Sequence, residues 1–134
     1  TRRKAVIGDV LELLDLTHKR DDFVNGLSRG MKQRLCLAKT LVHDPPVLVF
    51  DEPTAGLDVL AAAATLEFVE ECRRNGKCVL FSTNIMSEVE RLCDRIAIIH
   101  EGTLRAHGTL AELRERTGQH YLEDVFRHVV APPE

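Results

Sequence analysis

The apolar positions change period along the chain, and each change marks a new element. Val6, Val10, Leu13 and Leu14 recur at helical spacing, which predicts an opening helix with its apolar face covered. A polar stretch from Thr17 to Asn25 follows and ends at Gly26. From Ser28 the series Met31, Leu35, Ala38, Leu41, Val42 predicts a second helix. It must stop before Pro45-Pro46, because proline lacks an amide and restricts the residue ahead of it. Val47-Leu48-Val49-Phe50 is a continuous apolar run with proline on both sides, which predicts a short strand buried on both faces. Val59, Ala62, Leu66 and Val69 then predict a helix that ends at Arg73, Arg74 and Gly76. Cations suit the negative end of a helix, and a glycine beyond it suits a left-handed stop.

Cys78 to Thr83 reads as a second buried strand. Ile85, Val89, Leu92 and Cys93 read as a helix, and Ile96-Ala97-Ile98-Ile99 as a third strand. Glu101-Gly102 is a turn signal, after which Thr103 to His107 returns antiparallel. Thr109 and Glu112 have capping-box spacing for a helix closing near Gly118. Leu122, Val125, Phe126 and Val129 give a last amphipathic helix. The order strand–helix–strand–helix–strand predicts an α/β fold, a parallel sheet with right-handed crossovers flanked by helices. The two opening helices form a helical layer at the N-terminus. There are no repeats and no low-complexity linker.

Composition narrows this picture without redirecting it. A chain of 134 residues is the size of one ordinary domain, and 44% hydrophobic with 29% charged residues is ordinary for a globular protein. The net charge is −3 and there is no dense Lys/Arg block, which argues against a nucleic-acid partner. Cys36, Cys72, Cys78 and Cys93 have no metal-ligand spacing, so they are expected to be reduced thiols serving as small core residues in a cytosolic protein. The six histidines show no ligand pattern either, which points to surface or packing roles. No apolar run approaches the roughly 20 residues that cross a bilayer. Thr1-Arg2-Arg3-Lys4 leads into an amphipathic stretch rather than a signal-peptide core. The chain is expected to be soluble and to reach a membrane only through a partner.

Four places can carry chemistry. In Leu27-Ser28-Arg29-Gly30-Met31-Lys32-Gln33, Ser28 sits at an N-cap position and Gly30 leaves the first turn open to close approach. Such a helix start is either an ordinary cap or an anion site. Asp51-Glu52 ends the first strand, at the edge where α/β sheets bind ligands. Adjacent side chains diverge, so one carboxylate can hold a metal while the other faces a water; the alternative is a solvated acidic turn. Ala55-Gly56-Leu57-Asp58 is a tight turn whose acid can simply cap the next helix. Ser82-Thr83-Asn84 puts polar groups at the end of the second strand, on the same sheet edge as Asp51.

Taken together, LSRGMKQRLCLAKTLVHDPPVLVFDEPTAGLD resembles the signature–Walker B–D-loop stretch of ABC ATPases, with a partial P-loop NTPase fold as its implication. FSTNIMSEVERLCDRIAIIHEGTLRAHGTLAEL resembles the switch-loop region and closing strands of exporter-type ATP-binding subunits, in wording closest to those for sodium or drug extrusion. The resemblance covers essentially the whole chain. It implies one incomplete domain, with the signature-bearing helical part over 1–44 and the Walker B, D-loop, switch loop and closing elements over 45–134. It implies ATP and Mg²⁺ as cofactors. Leu27, Ser28, Arg29 and Gly30 would face the γ-phosphate of ATP held by an opposing subunit, Asp51 would serve Mg²⁺, and Glu52 would be the general base. Asp58 would act across the dimer interface. The implied partners are a second ATP-binding subunit and a membrane-spanning permease, which would place the protein on the cytoplasmic face of the cell membrane.

Three features depart from that pattern. The signature's closing glutamine is Met31, as in many exporter-type relatives. The switch position, normally histidine, is Asn84, which can donate a hydrogen bond but is shorter and has no cationic form. The phosphate loop is missing altogether: around the only Gly-Lys pair, Gly76-Lys77, Glu71 and Cys78 stand where a glycine and a hydroxyl belong. The resemblance therefore implies the C-terminal part of a longer subunit, inactive by itself and with unpaired strand edges and apolar surface exposed. Two other functions compete with an export ATPase: a soluble ABC ATPase of repair or translation, and a non-hydrolytic module offering only its signature surface.

Overall fold

The computed structural model describes residues 2–131. They form two compact units, which divide between Thr83 and Asn84. The first unit holds α1 (Arg2–Leu13), α2 (Arg29–Leu41), β1 (Val47–Asp51), α3 (Val59–Arg74) and β2 (Cys78–Ser82). The second holds α4 (Met86–Leu92), β3 (Ile96–His100), β4 (Thr103–Gly108), α5 (Leu110–Thr117) and α6 (Leu122–Val130). The polar stretch between α1 and α2 contains two single 3₁₀ turns, Thr17–Lys19 and Val24–Gly26.

In the first unit β1 and β2 run parallel, with Val49 opposite Leu80 and Asp51 opposite Ser82. Alternation sends Leu48 and Phe50 into the core, where Phe50 packs on Phe68 of α3 with ring centroids 6.2 Å apart. Burial on both faces, the expectation for this strand, does not occur. Val47, Val49 and Leu80 lie on the opposite face and are 55%, 67% and 64% exposed. An apolar run shows that a strand forms, but the elements packed on it decide how many faces are covered, and in this unit the helices cover one. The cysteines also depart from expectation: only Cys72 is buried, Cys93 is intermediate, and Cys36 and Cys78 are exposed. Burial pushes the Cys72 thiol up from its ordinary value.

The end of α3 shows local chemistry fixing the chain path. The Gly76 amide donates to Arg73 O at 2.9 Å and the Lys77 amide to Cys72 O at 3.1 Å, the paired bonds of a Schellman stop. Gly76 supplies the positive φ of +80° that this stop needs. Lys77 then reaches back to the Asp44 carboxylate at 2.6 Å and to Pro45 O at 2.8 Å, fastening the loop before β1 to the start of β2. Its hydrogen bond and charge hold the Asp44 carboxyl below the ordinary range.

In the second unit β3 and β4 form an antiparallel hairpin closed by Glu101 and Gly102, with φ of +49° and +70° as a type I′ turn requires. The expected α/β arrangement is present in the parallel pairing of β1 and β2 across α3, and the expected antiparallel return after Glu101-Gly102 in the pairing of β3 and β4. Among the described residues β3 makes its ladder with β4, because a two-residue turn brings that partner alongside at little entropic cost. Ile96, Ile98, Ala106, Leu113, Leu122 and Val125 form the core of this unit.

The capping box expected for α5 is present: Thr109 Oγ1 accepts from the Glu112 amide at 3.2 Å, and Glu112 Oε2 accepts from the Thr109 amide at 2.8 Å. The helix closes at Gly118, φ +68°. The Thr109 amide holds the Glu112 carboxyl below its ordinary value. A depressed native value means that the group adds stability above its unfolded value, about 4.3, and loses it as pH falls through the native value. Denaturant titrations read on second-unit methyl signals should therefore show a stability loss on acidification that is smaller in Glu112→Gln.

Candidate functional site

The acidic end of β1 is the centre of the site. Asp51 is the last strand residue and, by pairing register, lies beside Ser82, whose hydroxyl donates to Asp51 Oδ1 at 2.5 Å. The Glu52 amide donates to both Ser82 O at 3.1 Å and Ser82 Oγ at 2.9 Å. Glu52 itself has φ of +43°, left-handed for a non-glycine residue and uncommon ahead of a proline. That conformation costs about 1–2 kcal/mol. It redirects the chain at once, and both the Asp51 and Glu52 side chains are exposed. The two acids stand at the strand end, and Ser82 is drawn into the same cluster.

The turn after Glu52 is compact. The Ala55 amide donates to Glu52 O at 3.0 Å and the Leu57 amide to Thr54 O at 3.1 Å, while Pro53 and Thr54 are buried. Asp58 follows as the N-cap of α3, accepting from the Ala61 amide at 2.9 Å. The capping alternative for Asp58 is therefore realised. Immediately beyond it Val59 and Leu60 are 84% and 82% exposed, an unusual amount of apolar surface for a helix start.

The start of α2 lies against this turn. Ser28 caps the helix by accepting from the Met31 amide at 3.2 Å. A Cβ added to Gly30 would meet Ala61 Cβ at 2.9 Å, so glycine is what lets α2 and α3 approach so closely here. Arg29 lays its guanidinium over Gly56, within 3.5 Å of Ala55 O. Gln33, one helical turn on, donates to Pro53 O at 2.9 Å. Leu27 has a buried side chain, so it can offer a ligand only its backbone.

The first unit thus brings together Ser28, Arg29, Gly30, Asp51, Glu52 and Asp58. Asn84 is the first residue of the second unit, exposed in the segment between β2 and α4. The contribution of Gln33 was not assigned from sequence, although it sits four residues after Arg29 and hence on the same helix face.

The donor set suits Mg²⁺, which takes one or two carboxylates and fills its remaining positions with water and phosphate oxygens. Asp51 with the Ser82 hydroxyl supplies such a partial set. Among the described residues no group of three or more His, Cys, Asp or Glu gathers as a closed metal cage.

Comparison with known proteins places these features. A family model described as "ABC transporter" matches residues 2–55. The chain is 37% identical to the ABC transporter ATP-binding protein NatA of Bacillus subtilis strain 168, over 92% of this chain and 50% of that protein. It is 47% identical to Nod factor export ATP-binding protein I of Burkholderia orbicola strain AU 1054, over 78% of this chain and 34% of that protein. Among solved structures, an ATP-binding subunit of an ABC transporter superposes with a TM-score of 0.83 at 31% identity, covering 96% of this chain and 55% of the other. A second, cbiO1 from Clostridium perfringens, part of the ABC transporter complex cbiONQ, gives 0.73 at 28% identity, over 84% of this chain and 45% of the other. The chain spans half the length of NatA and about a third of the Nod factor export protein.

Proposed function

This chain belongs to the ABC transporter ATP-binding family, and from that premise we propose that the whole protein hydrolyses ATP to drive export through a membrane-spanning permease. The observation that carries the reading is the acid pair at the end of β1: Asp51 held by Ser82, and Glu52 beside it on a left-handed backbone. Phosphoryl transfer to water needs charge neutralisation on the phosphates and a positioned proton acceptor, and little covalent chemistry from the protein. Asp51, with Ser82, would hold Mg²⁺, which supplies that neutralisation when bound. Glu52 orients the attacking water and takes its proton.

The start of α2 serves a different nucleotide. Ser28 and Gly30 sit at a helix N-terminus, where amides and dipole favour an anion, and they meet the γ-phosphate of ATP held by a second ATP-binding subunit. Exposed Val59 and Leu60 beside Asp58 give that subunit an apolar surface to close on. The name of the Nod factor export relative supports export. Among the described residues no helix is long and apolar enough to cross a membrane.

The test is nucleotide binding and ATPase activity of this chain alone, and mixed with a half-subunit that carries a phosphate loop. Turnover that appears only on mixing supports the reading. Binding without turnover in the mixture supports instead a module that lends only its signature surface.

Asn84 sets the rate in this reading. Its amide can donate a hydrogen bond to a phosphate but has no cationic form. Slow turnover is expected, with Asn84→His raising it about tenfold, the scale of one charge-assisted hydrogen bond against a neutral one. Steady-state assays of both forms check this, and fast turnover that the substitution does not improve counts against it.

A further inference from the structure

Gln33 does more than continue the signature helix. Its side-chain amide is part-buried and donates to the carbonyl of Pro53, the residue directly after Glu52. On the other side of Glu52, Ser82 accepts from the Glu52 amide through two oxygens. The strained left-handed residue is therefore gripped at both ends, by β2 before it and by α2 after it. Such a strained backbone state persists only where its surroundings over-determine it. One net hydrogen bond is enough to matter on the scale of that strain.

We propose that Gln33 is a positioning residue for Glu52: by holding the Pro53 carbonyl, it fixes the direction in which the Glu52 carboxylate leaves β1. Arg29 adds a weaker contact of the same kind at Ala55 O, 3.5 Å away. Together they fasten the anion-facing end of α2 to the acid-bearing turn. A phosphate at Ser28 of one subunit and the base of that same subunit are thereby joined through one short, rigid segment. This rests on the hydrolytic reading above for its catalytic consequence, but its structural part stands independently.

Gln33→Met keeps the length and helix preference of the side chain and removes the amide that donates to Pro53 O. In the chain itself, amide exchange at Ala55 and Leu57, whose hydrogen bonds close the turn, should quicken about fivefold, the fold-change for loss of one net hydrogen bond. The β1–β2 ladder amides should keep their rates. Unchanged Ala55 and Leu57 rates would overturn the proposal, as would a general rise along β1 and β2, which would make Gln33 a core residue. With a phosphate-loop half supplied, Gln33→Met should lower kcat about tenfold and leave KM for ATP unchanged. In a Glu52→Gln background it should have no further effect, because it acts through Glu52. Full turnover in Glu52→Gln would sink the hydrolytic reading and leave the exchange result standing. Loss of turnover in Glu52→Gln with full turnover in Gln33→Met would sink the positioning role alone.

Discussion

Glu52→Gln is expected to lower ATP turnover about 10²–10⁴-fold, the range over which a positioned general base contributes, while nucleotide binding is retained. Glutamine preserves the shape of the side chain and asks nothing new of the backbone at φ +43°. The contacts that hold the residue all run through main-chain atoms, the Glu52 amide to Ser82 and the Pro53 carbonyl to Gln33, so the substitution leaves them intact. What disappears is the proton acceptor. Asp51→Asn should behave differently, because Asp51 accepts from Ser82 and is the carboxylate suited to Mg²⁺. It should weaken Mg²⁺-dependent nucleotide binding as well as turnover. Parallel binding and single-turnover measurements on the mixed halves separate the two acids. Equal effects of both substitutions on binding would reject the division of roles.

The second large effect concerns the uncovered face of β1 and β2. Val47, Val49 and Leu80 are each more than half exposed on one side of a two-stranded sheet, and both strands are edges among the described residues. Burying an aliphatic side chain of this size yields about 1.5–3 kcal/mol, so any second surface that covers all three gains several. At tens of micromolar the chain alone is expected to self-associate. Val49→Lys with Leu80→Lys should weaken that association at least about tenfold, since each charge would have to be desolvated on contact. Sedimentation velocity across a concentration series reads this directly. A monodisperse monomer of the unsubstituted chain with one cooperative melting transition would refute it.

Much of this was legible in the sequence because the relevant signals are local. Ser28, Asp58 and Thr109 cap the helices that their positions announced, and Gly76, Gly118 and the Glu101-Gly102 pair adopt the left-handed geometry that their neighbours demanded. Asp51 and Glu52 could be placed because an apolar strand must end where its polarity changes. Sequence failed where a partner from elsewhere in the chain decides. The exposure of Val49 depends on what packs on the sheet. Gln33 shows the same limit at the site. Nothing in its neighbours reveals that its amide will meet a carbonyl twenty residues later. Its place on the face shared with Arg29 was the available hint.

The division after Thr83 also has a kinetic meaning. In the second unit the hairpin closes over a two-residue turn, so its strand ladder joins residues near each other in sequence. In the first, β1 cannot meet β2 until the whole of α3 has been threaded between them, a separation of 31 residues at Asp51 and Ser82. Contact order therefore assigns the quick search to the C-terminal unit and the slow one to the N-terminal unit. During synthesis, the segment that emerges first from the ribosome is the one that takes longest to close. Its apolar strands are left waiting for partners while the later-made half is already settling.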